Sequence, residues 1–362
     1  MEQRYNIHNL VKIIVQTNNI YLLEELDYTL RYFKTEDSFL SYDIEIKDIS
    51  HFSLPQEHLI ISDKFFGFKN GFFSKDDEYA IIMDGEKITL FEKENSIAIN
   101  ELIELLLLKK GYTFIHGAGI SYNGDGVIFP SPPNTGKTTL MSKLRKKDSV
   151  NFFGDDYIIL KEDGTMLSYP MDFSIHDYHF KFFEELKESS EGRQIKRIFY
   201  EKFLVDLVRH LPIRKKLKKI ARFFNYEFLK GGEYLKVEAK RLMGAKKVGK
   251  MAKIKYSVCL NKYEGSDLRV ESVDPETIIK EIIGTLQSEW YKSLPALHFL
   301  ASFGLVDLTE FFKKTNDILR NNFKDVKFYR VLLPSLMEHQ ERFRQLDEFL
   351  ETKIFRELKN GK

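Results

Sequence analysis

The chain has 362 residues, 43% of them hydrophobic and 30% charged, and a formal net charge of +2. That length supports a large core with more than one domain or subdomain, and the near-balanced charge excludes wholesale nucleic-acid binding through charge alone. A single cysteine, Cys259, excludes an intramolecular disulfide, and the longest apolar run, Leu102 to Leu108, is too short to span a bilayer, so a reducing, cytoplasmic setting is expected.

In chain order, residues 10–15 read as a strand, Tyr21 to Leu30 as an amphipathic helix and Tyr42 to Ile46 as an alternating strand. Short strands follow near 79–83 and 87–91. These predict a small N-terminal α/β unit over 1–92, leaning on a core that begins with a buried helix from Ala98 to Lys110. The run Tyr112 to Ile120 is strand-like and carries His116, which taken alone reads first as a core histidine.

The apolar run Gly126 to Phe129 leads into Pro130-Ser-Pro-Pro-Asn-Thr-Gly-Lys-Thr-Thr139, followed by a helix-compatible segment. A turn of this kind aims backbone N–H groups and the positive end of a helix at an anion. Lys137 then reaches the β/γ phosphates of ATP, and the Thr138 hydroxyl faces Mg²⁺. The usual pattern is G-x-x-x-x-G-K-[ST]; Ser131 stands in place of its first glycine. Further on, Val150 to Leu160 is an apolar run interrupted by Asp155 and Asp156. Two adjacent carboxylates between buried strands are costly unless a cation meets them.

Taken together, "FIHGAGISYNGDGVIF" (114–129), "SPPNTGKTTL" (131–140), "FFGDDYIIL" (152–160), "EDG" (162–164) and "SYP" (168–170) resemble the kinase domain of HPr kinase/phosphorylase and its HPr-kinase-like relatives, among them kinases that phosphorylate a serine on ribosomal peptides. The resemblance covers about residues 100–175. It implies an α/β fold with a P-loop core and a mixed β-sheet over 93–362, within which the residue pattern adds a mainly helical, basic insertion at about 175–250 and a mainly helical C-terminal part at about 275–362. It further implies an ATP site built from Ser131, Asn134, Thr135, Gly136, Lys137, Thr138 and Thr139, with Mg²⁺ held by Thr138 and Asp156. Lys137 and His116 serve the chemistry beside an aspartate pair in which Asp155 is taken as the base that accepts the substrate hydroxyl proton, an assignment that only geometry can make. Family enzymes often assemble as homo-oligomers.

Departures from the pattern carry their own expectations. Pro132 and Pro133 lack N–H groups, leaving fewer donors for phosphate. Thr139 stands where the bifunctional enzymes have an acidic residue, and no copy of their second signature segment is found, which argues against phosphorolysis. The expected activity is phosphoryl transfer from ATP to a hydroxyl, first a serine of a peptide or protein, next a small-molecule alcohol. The alternative is a non-catalytic nucleotide-binding switch that recruits an acidic or nucleic-acid partner. Carboxykinase chemistry would demand further metal ligands that the sequence does not offer.

From Tyr178 to Tyr226 the pattern is helical, with Arg209, Arg214, Lys215, Lys216, Lys218, Lys219 and Arg222 crowded together, either a surface for an anionic partner or a solvated face. Ala239 to Lys255 is a second basic stretch, read as a loop that closes over phosphates or as solubilising charge, and it runs into a strand from Ile254 to Leu260 that buries Cys259. Asp274 caps a helix starting at Pro275, and further helices are expected at 307–322 and 335–358, separated by a strand at 326–333. Trp290 reads as core. His176 and His179 lack a third converging ligand.

Overall fold

A computed structural model describes residues 1–93, 99–176, 179, 182–183, 186, 235–244, 247–290 and 294–360. The basic crowd from Arg209 to Arg222, and most of the insertion expected at about 175–250, lie outside these residues. The described chain is mixed α/β, with two large mixed sheets and several helices. Among the described residues no helix is long and apolar enough to cross a membrane.

The first sheet lies wholly within residues 1–92. Its strands are β1 (Glu2–Ile7), β2 (Val11–Gln16), β3 (Ile44–Asp48), β4 (Leu59–Ile60), β5 (Phe65–Phe68), β6 (Gly71–Ser74), β7 (Tyr79–Asp84) and β8 (Lys87–Glu92), ordered β1-β2-β3-β8-β7-β6-β5-β4. Helix α1 (Ile20–Leu30) crosses between the parallel strands β2 and β3. The Asn19 side chain accepts the N–H groups of Tyr21 and Leu22, satisfying two donors that the helix cannot. Leu22, Leu26 and Leu30 recur at helical spacing and are all buried. The region expected as a small α/β unit is thus mainly sheet. Strands such as Phe65-Phe-Gly-Phe68 escaped the sequence reading because they are short and their apolar residues do not alternate.

The second sheet follows α2 (Ile99–Lys109), in which both carboxylates of the buried face, Glu101 and Glu104, lie among leucines. It contains β9 (Tyr112–Tyr122), β10 (Asp125–Pro130), β11 (Val150–Gly154), β12 (Tyr157–Lys161) and β13 (Thr165–Tyr169), with α3 (Lys137–Leu144) between β10 and β11. A small hairpin, β14 (Phe173–Ile175) and β15 (Leu235–Val237), and helix α4 (Ala239–Met243) precede β16 (Met251–Tyr263). Then come β17 (Arg269–Ser272), α5 (Pro275–Glu289), α6 (Leu294–Ser302), α7 (Leu308–Asn322), β18 (Lys327–Pro334) and α8 (His339–Phe349). A π-helical turn at Leu350–Phe355 joins α8 to α9 (Arg356–Asn360).

The order is β10-β9-β12-β13-β16-β18-β17, with β11 also on β9 and β10 pairing back onto β16. Strands β9, β12, β13, β16 and β10 therefore close on themselves. The strands serve two cores: Phe114 and Ile115 near the start of β9, and Ile128 of β10, join a cluster that reaches α2, α5 and α7. Ala118, Ile120, Val127 and Phe129 join another with α3 and α8. The first cluster also takes in the interior of the N-terminal sheet, and the Phe65 and Phe299 rings meet at 4.5 Å. That packing couples the two sheets.

Two expectations are corrected. The stretch Ala239 to Lys255 is loop only in part: Ala239, Leu242 and Met243 are buried on the short helix α4, Gly244 ends it at φ 89°, the described residues 247–250 lie outside the named helices and strands, and β16 starts at Met251. The helix expected over 335–358 begins only at His339, where the Glu338 side chain caps it, and it widens to π geometry at Leu350. Helix α6 had no counterpart in the sequence reading. Cys259 and Trp290 are buried, at 2% and 1% exposure, as their apolar surroundings suggest.

Candidate active site

Strands β10 and β16 run parallel, and the loop 131–136 leaves the carboxyl end of β10 to start α3. That edge of a parallel pair is where open α/β sheets place ligands. Strand pairing brings the other candidates to the same edge. Gly117 pairs with Pro130, and Tyr157 pairs with His116. The two aspartates occupy the bend between β11 and β12, where the Gly117 N–H donates to the Asp156 carbonyl at 2.9 Å. In a bend the two carboxylates need not point to opposite faces, so strand alternation does not separate their roles.

The loop explains its own departures from the glycine pattern. Only Asn134 (φ 61°) and Gly136 (φ 101°) have left-handed backbones there, so Ser131 carries no conformational demand for glycine. Asn tolerates that region better than most residues. Ser131 puts its side chain to use: its hydroxyl donates to the Pro130 carbonyl at 2.6 Å and accepts the Leu260 N–H of β16 at 3.1 Å. Thr135 donates to the Pro132 carbonyl at 2.9 Å, closing the turn. Gly136 has no room for a side chain, because a Cβ there would lie 2.5 Å from the Phe343 ring of α8. Gly117 is equally confined, 2.7 Å from the Phe129 carbonyl.

Lys137 is buried at 6% exposure and folds back over the loop, donating to the carbonyls of Ser131 (3.0 Å) and Pro132 (3.1 Å). Burial pulls its pKa down, against the opposing pull of Asp156, Asp155 and Glu289. Thr138, in the first turn of α3, donates its hydroxyl to Asp155 Oδ2 at 2.6 Å, which ties loop, helix and acidic bend together. The other oxygen, Asp155 Oδ1, is buried without a partner. Among the described residues no donor binds the Asp156 carboxylate. Burial pushes both carboxyls above the ordinary aspartate range, the Asp156 charge adds to the rise at Asp155, and Lys137 pulls both back. Thr139 is buried, and its carbonyl accepts the Ser142 hydroxyl at 2.6 Å.

His116 is 3% exposed, and both of its ring nitrogens are buried without partners. Burial, then the Lys137 charge, lowers its pKa to about 3, so the ring is neutral at physiological pH. It meets Tyr157 edge-on at 5.4 Å. A buried imidazole with one unused donor and one unused acceptor costs free energy unless something completes it.

Glu289, at the end of α5, joins this constellation unannounced by the sequence. Burial raises its pKa first and the nearby Asp156 second, with Lys137 opposing. Phe343 was equally invisible, since α8 lies some 200 residues downstream of the loop it covers. His176 and His179 do not join the site. The His176 N–H donates to His179 Nδ1 at 3.0 Å, and His179 feels the charge of His339 on α8.

Among the described residues no group of three or more His, Cys, Asp or Glu side chains could hold a metal ion by itself. Mg²⁺ asks for less, because it keeps several waters and takes the rest of its ligands from phosphates and one or two carboxylates. The Thr138 hydroxyl and the unpartnered Asp155 oxygen suit that requirement. No family model matches the chain, and no curated protein matches it in sequence.

Proposed function

We propose that this protein is an ATP- and Mg²⁺-dependent kinase that transfers the γ-phosphoryl group to a hydroxyl, through an HPr-kinase-like P-loop site. The observation that carries this reading is the 2.6 Å hydrogen bond from Thr138 to Asp155, which sets the phosphate loop directly against the acidic bend. In the resembling family those two segments work on one reaction.

Phosphoryl transfer asks the protein mainly to align the γ-phosphoryl group, neutralise its charge and orient the attacking hydroxyl. The first-turn N–H groups of α3 are the natural phosphate donors, because a helix leaves them unpaired. Lys137 exchanges its bonds to the Ser131 and Pro132 carbonyls for phosphate oxygens. Mg²⁺, bound with ATP through Thr138 and Asp155, supplies charge neutralisation. Asp155 already holds the Thr138 proton through one oxygen, so we assign it to the metal side. Asp156, whose carboxylate no described donor engages, takes the acceptor proton. These roles reverse the expectation from sequence. His116, neutral and unpartnered beside the pair, offers one donor and one acceptor to the acceptor hydroxyl or the transferring group.

The switch reading needs only a loop and one metal-side carboxylate. The raised second carboxylate and the buried free imidazole favour catalysis. The test is incubation with γ-labelled ATP and fractions of small molecules and proteins, with mass spectrometry of whatever gains phosphate. Tight ATP binding with no labelled product would leave the switch reading in its place.

A further inference from the structure

A cavity of about 260 Å³ opens beside the phosphate loop, between Pro130–Pro132, the end of β16 and one face of α5. We propose, resting on the kinase reading above, that this cavity holds the phosphoryl acceptor and that the acceptor is a small uncharged polyhydroxyl compound.

Position comes first. Ser131 and Pro132 form part of the cavity wall, and their carbonyls are the ones that receive Lys137 Nζ at 3.0 and 3.1 Å. A molecule in the cavity therefore lies against the loop backbone that Lys137 binds, and Glu289, which follows the lining residue Ser288 on α5, is close enough to feel the charges of Asp156 and Lys137. Two further cavities lie elsewhere, one between the β7–β8 turn, α2 and α7, the other along β1.

The lining sets the chemistry. Asn261 and Thr285 offer amide and hydroxyl groups, and among the described residues the Thr285 hydroxyl makes no hydrogen bond, whereas the Ser288 hydroxyl already donates to the Thr285 carbonyl at 2.8 Å. Glu281 brings the only carboxylate to the lining, and it is already neutralised: it pairs with Arg330 and accepts the Cys259 thiol at 3.1 Å. The Cys259 thiol is held protonated by burial and by Glu281, so it is a donor and not a nucleophile. A cavity rich in hydrogen-bonding groups and without net charge favours a neutral polar guest.

Gly284 shows that the space is kept open. It lies in the middle of α5, where glycine costs about 1 kcal/mol against alanine. It lines the cavity, and a Cβ placed on it would meet nothing within 4 Å. No packing constraint demands glycine there. The volume points the same way, since a cavity of about 150 Å³ already holds benzene. The space here suits a sugar-sized molecule and is far larger than a serine hydroxymethyl group requires.

In the reaction the acceptor oxygen bonds to the γ-phosphorus, the bond from that phosphorus to the β–γ bridging oxygen breaks, and ADP leaves with the electron pair. The hydroxyl proton passes to the Asp156 carboxylate. The products are ADP and a phosphate monoester.

The test compares the wild-type chain with Gly284→Trp, which fills the cavity, and Thr285→Val, which keeps its shape but removes a hydroxyl. Each is incubated with γ-labelled ATP, Mg²⁺ and, separately, glycerol, ribitol, glucose, myo-inositol or a serine-containing heptapeptide, and ATP affinity is measured by calorimetry. A labelled polyol is expected, with its KM raised about tenfold in Thr285→Val, the scale of one lost hydrogen bond, and further in Gly284→Trp, while ATP affinity holds. Label on the peptide alone, or a polyol KM that neither variant moves, overturns the assignment. If wild-type protein binds ATP and leaves all four polyols unlabelled, the acceptor assignment falls, and the kinase reading stands only where the peptide or a small-molecule or protein fraction gains the label. If it binds no ATP, both fall.

Discussion

The Phe343 ring lies 2.5 Å from the point that a Cβ on Gly136 would occupy, so α8 closes on the 131–136 loop at the residue where that loop becomes α3. Gly136 also holds φ 101°, a backbone that side chains resist. Gly136→Ala is therefore expected to cost about 2 kcal/mol or more, from strain and overpacking together. Urea unfolding measures it. The double variant with Phe343→Ala should recover only the packing share.

Lys137→Ala should leave the fold intact and remove nucleotide binding, because the lysine's hydrogen bonds within the protein are two, both to carbonyls of the loop itself. Calorimetric titration with ATP reads the result against an unchanged circular dichroism spectrum. Full affinity in the variant would remove the loop from nucleotide binding.

Asp155 and Asp156 should fail differently. Asp156→Asn is expected to keep Mg²⁺-dependent ATP binding while turnover drops about a hundredfold, the loss of a general base. Asp155→Asn should lose the gain in ATP affinity that Mg²⁺ provides. The opposite pattern would restore the roles that the sequence suggested.

The site should impose opposing pH slopes on the stability of the ligand-free protein. The aspartate pair is raised in the fold, so between the ordinary carboxylate range and the raised values the native state holds a proton that the unfolded chain has released. Stability from this source falls as pH rises. His116 is lowered to about 3, so from there to about 6.5 the unfolded chain holds the extra proton, and stability rises with pH. Denaturant unfolding from pH 4 to 7 should show a more rising profile for Asp155→Asn and a more falling one for His116→Gln.

Glu104 tests the wall behind the site. It is wholly buried on α2, accepts the Phe114 N–H at 2.8 Å and bonds the Thr113 hydroxyl, and burial raises its pKa to about 8. Glu104→Gln keeps both partners and should change stability little at pH 7. Glu104→Leu strands the Phe114 N–H and the Thr113 hydroxyl and should cost about 2–4 kcal/mol.

What the sequence determined by itself is local. The strand, turn and helix around 125–144, the interrupted run at 150–161 and the capped helix at Pro275 follow from periodicity, glycine and capping residues, which act over a few neighbours. Tertiary structure decided what depends on distant partners: that β10 pairs back onto β16, that His116 stands opposite Tyr157 beside the acidic bend, and that Thr138 binds Asp155 in preference to Asp156. It also brought Phe343 and Glu289 to the loop. A side chain's hydrogen-bond partner is set by atoms within about 3 Å, and residues that far apart along the chain reach that distance only once the sheet has closed.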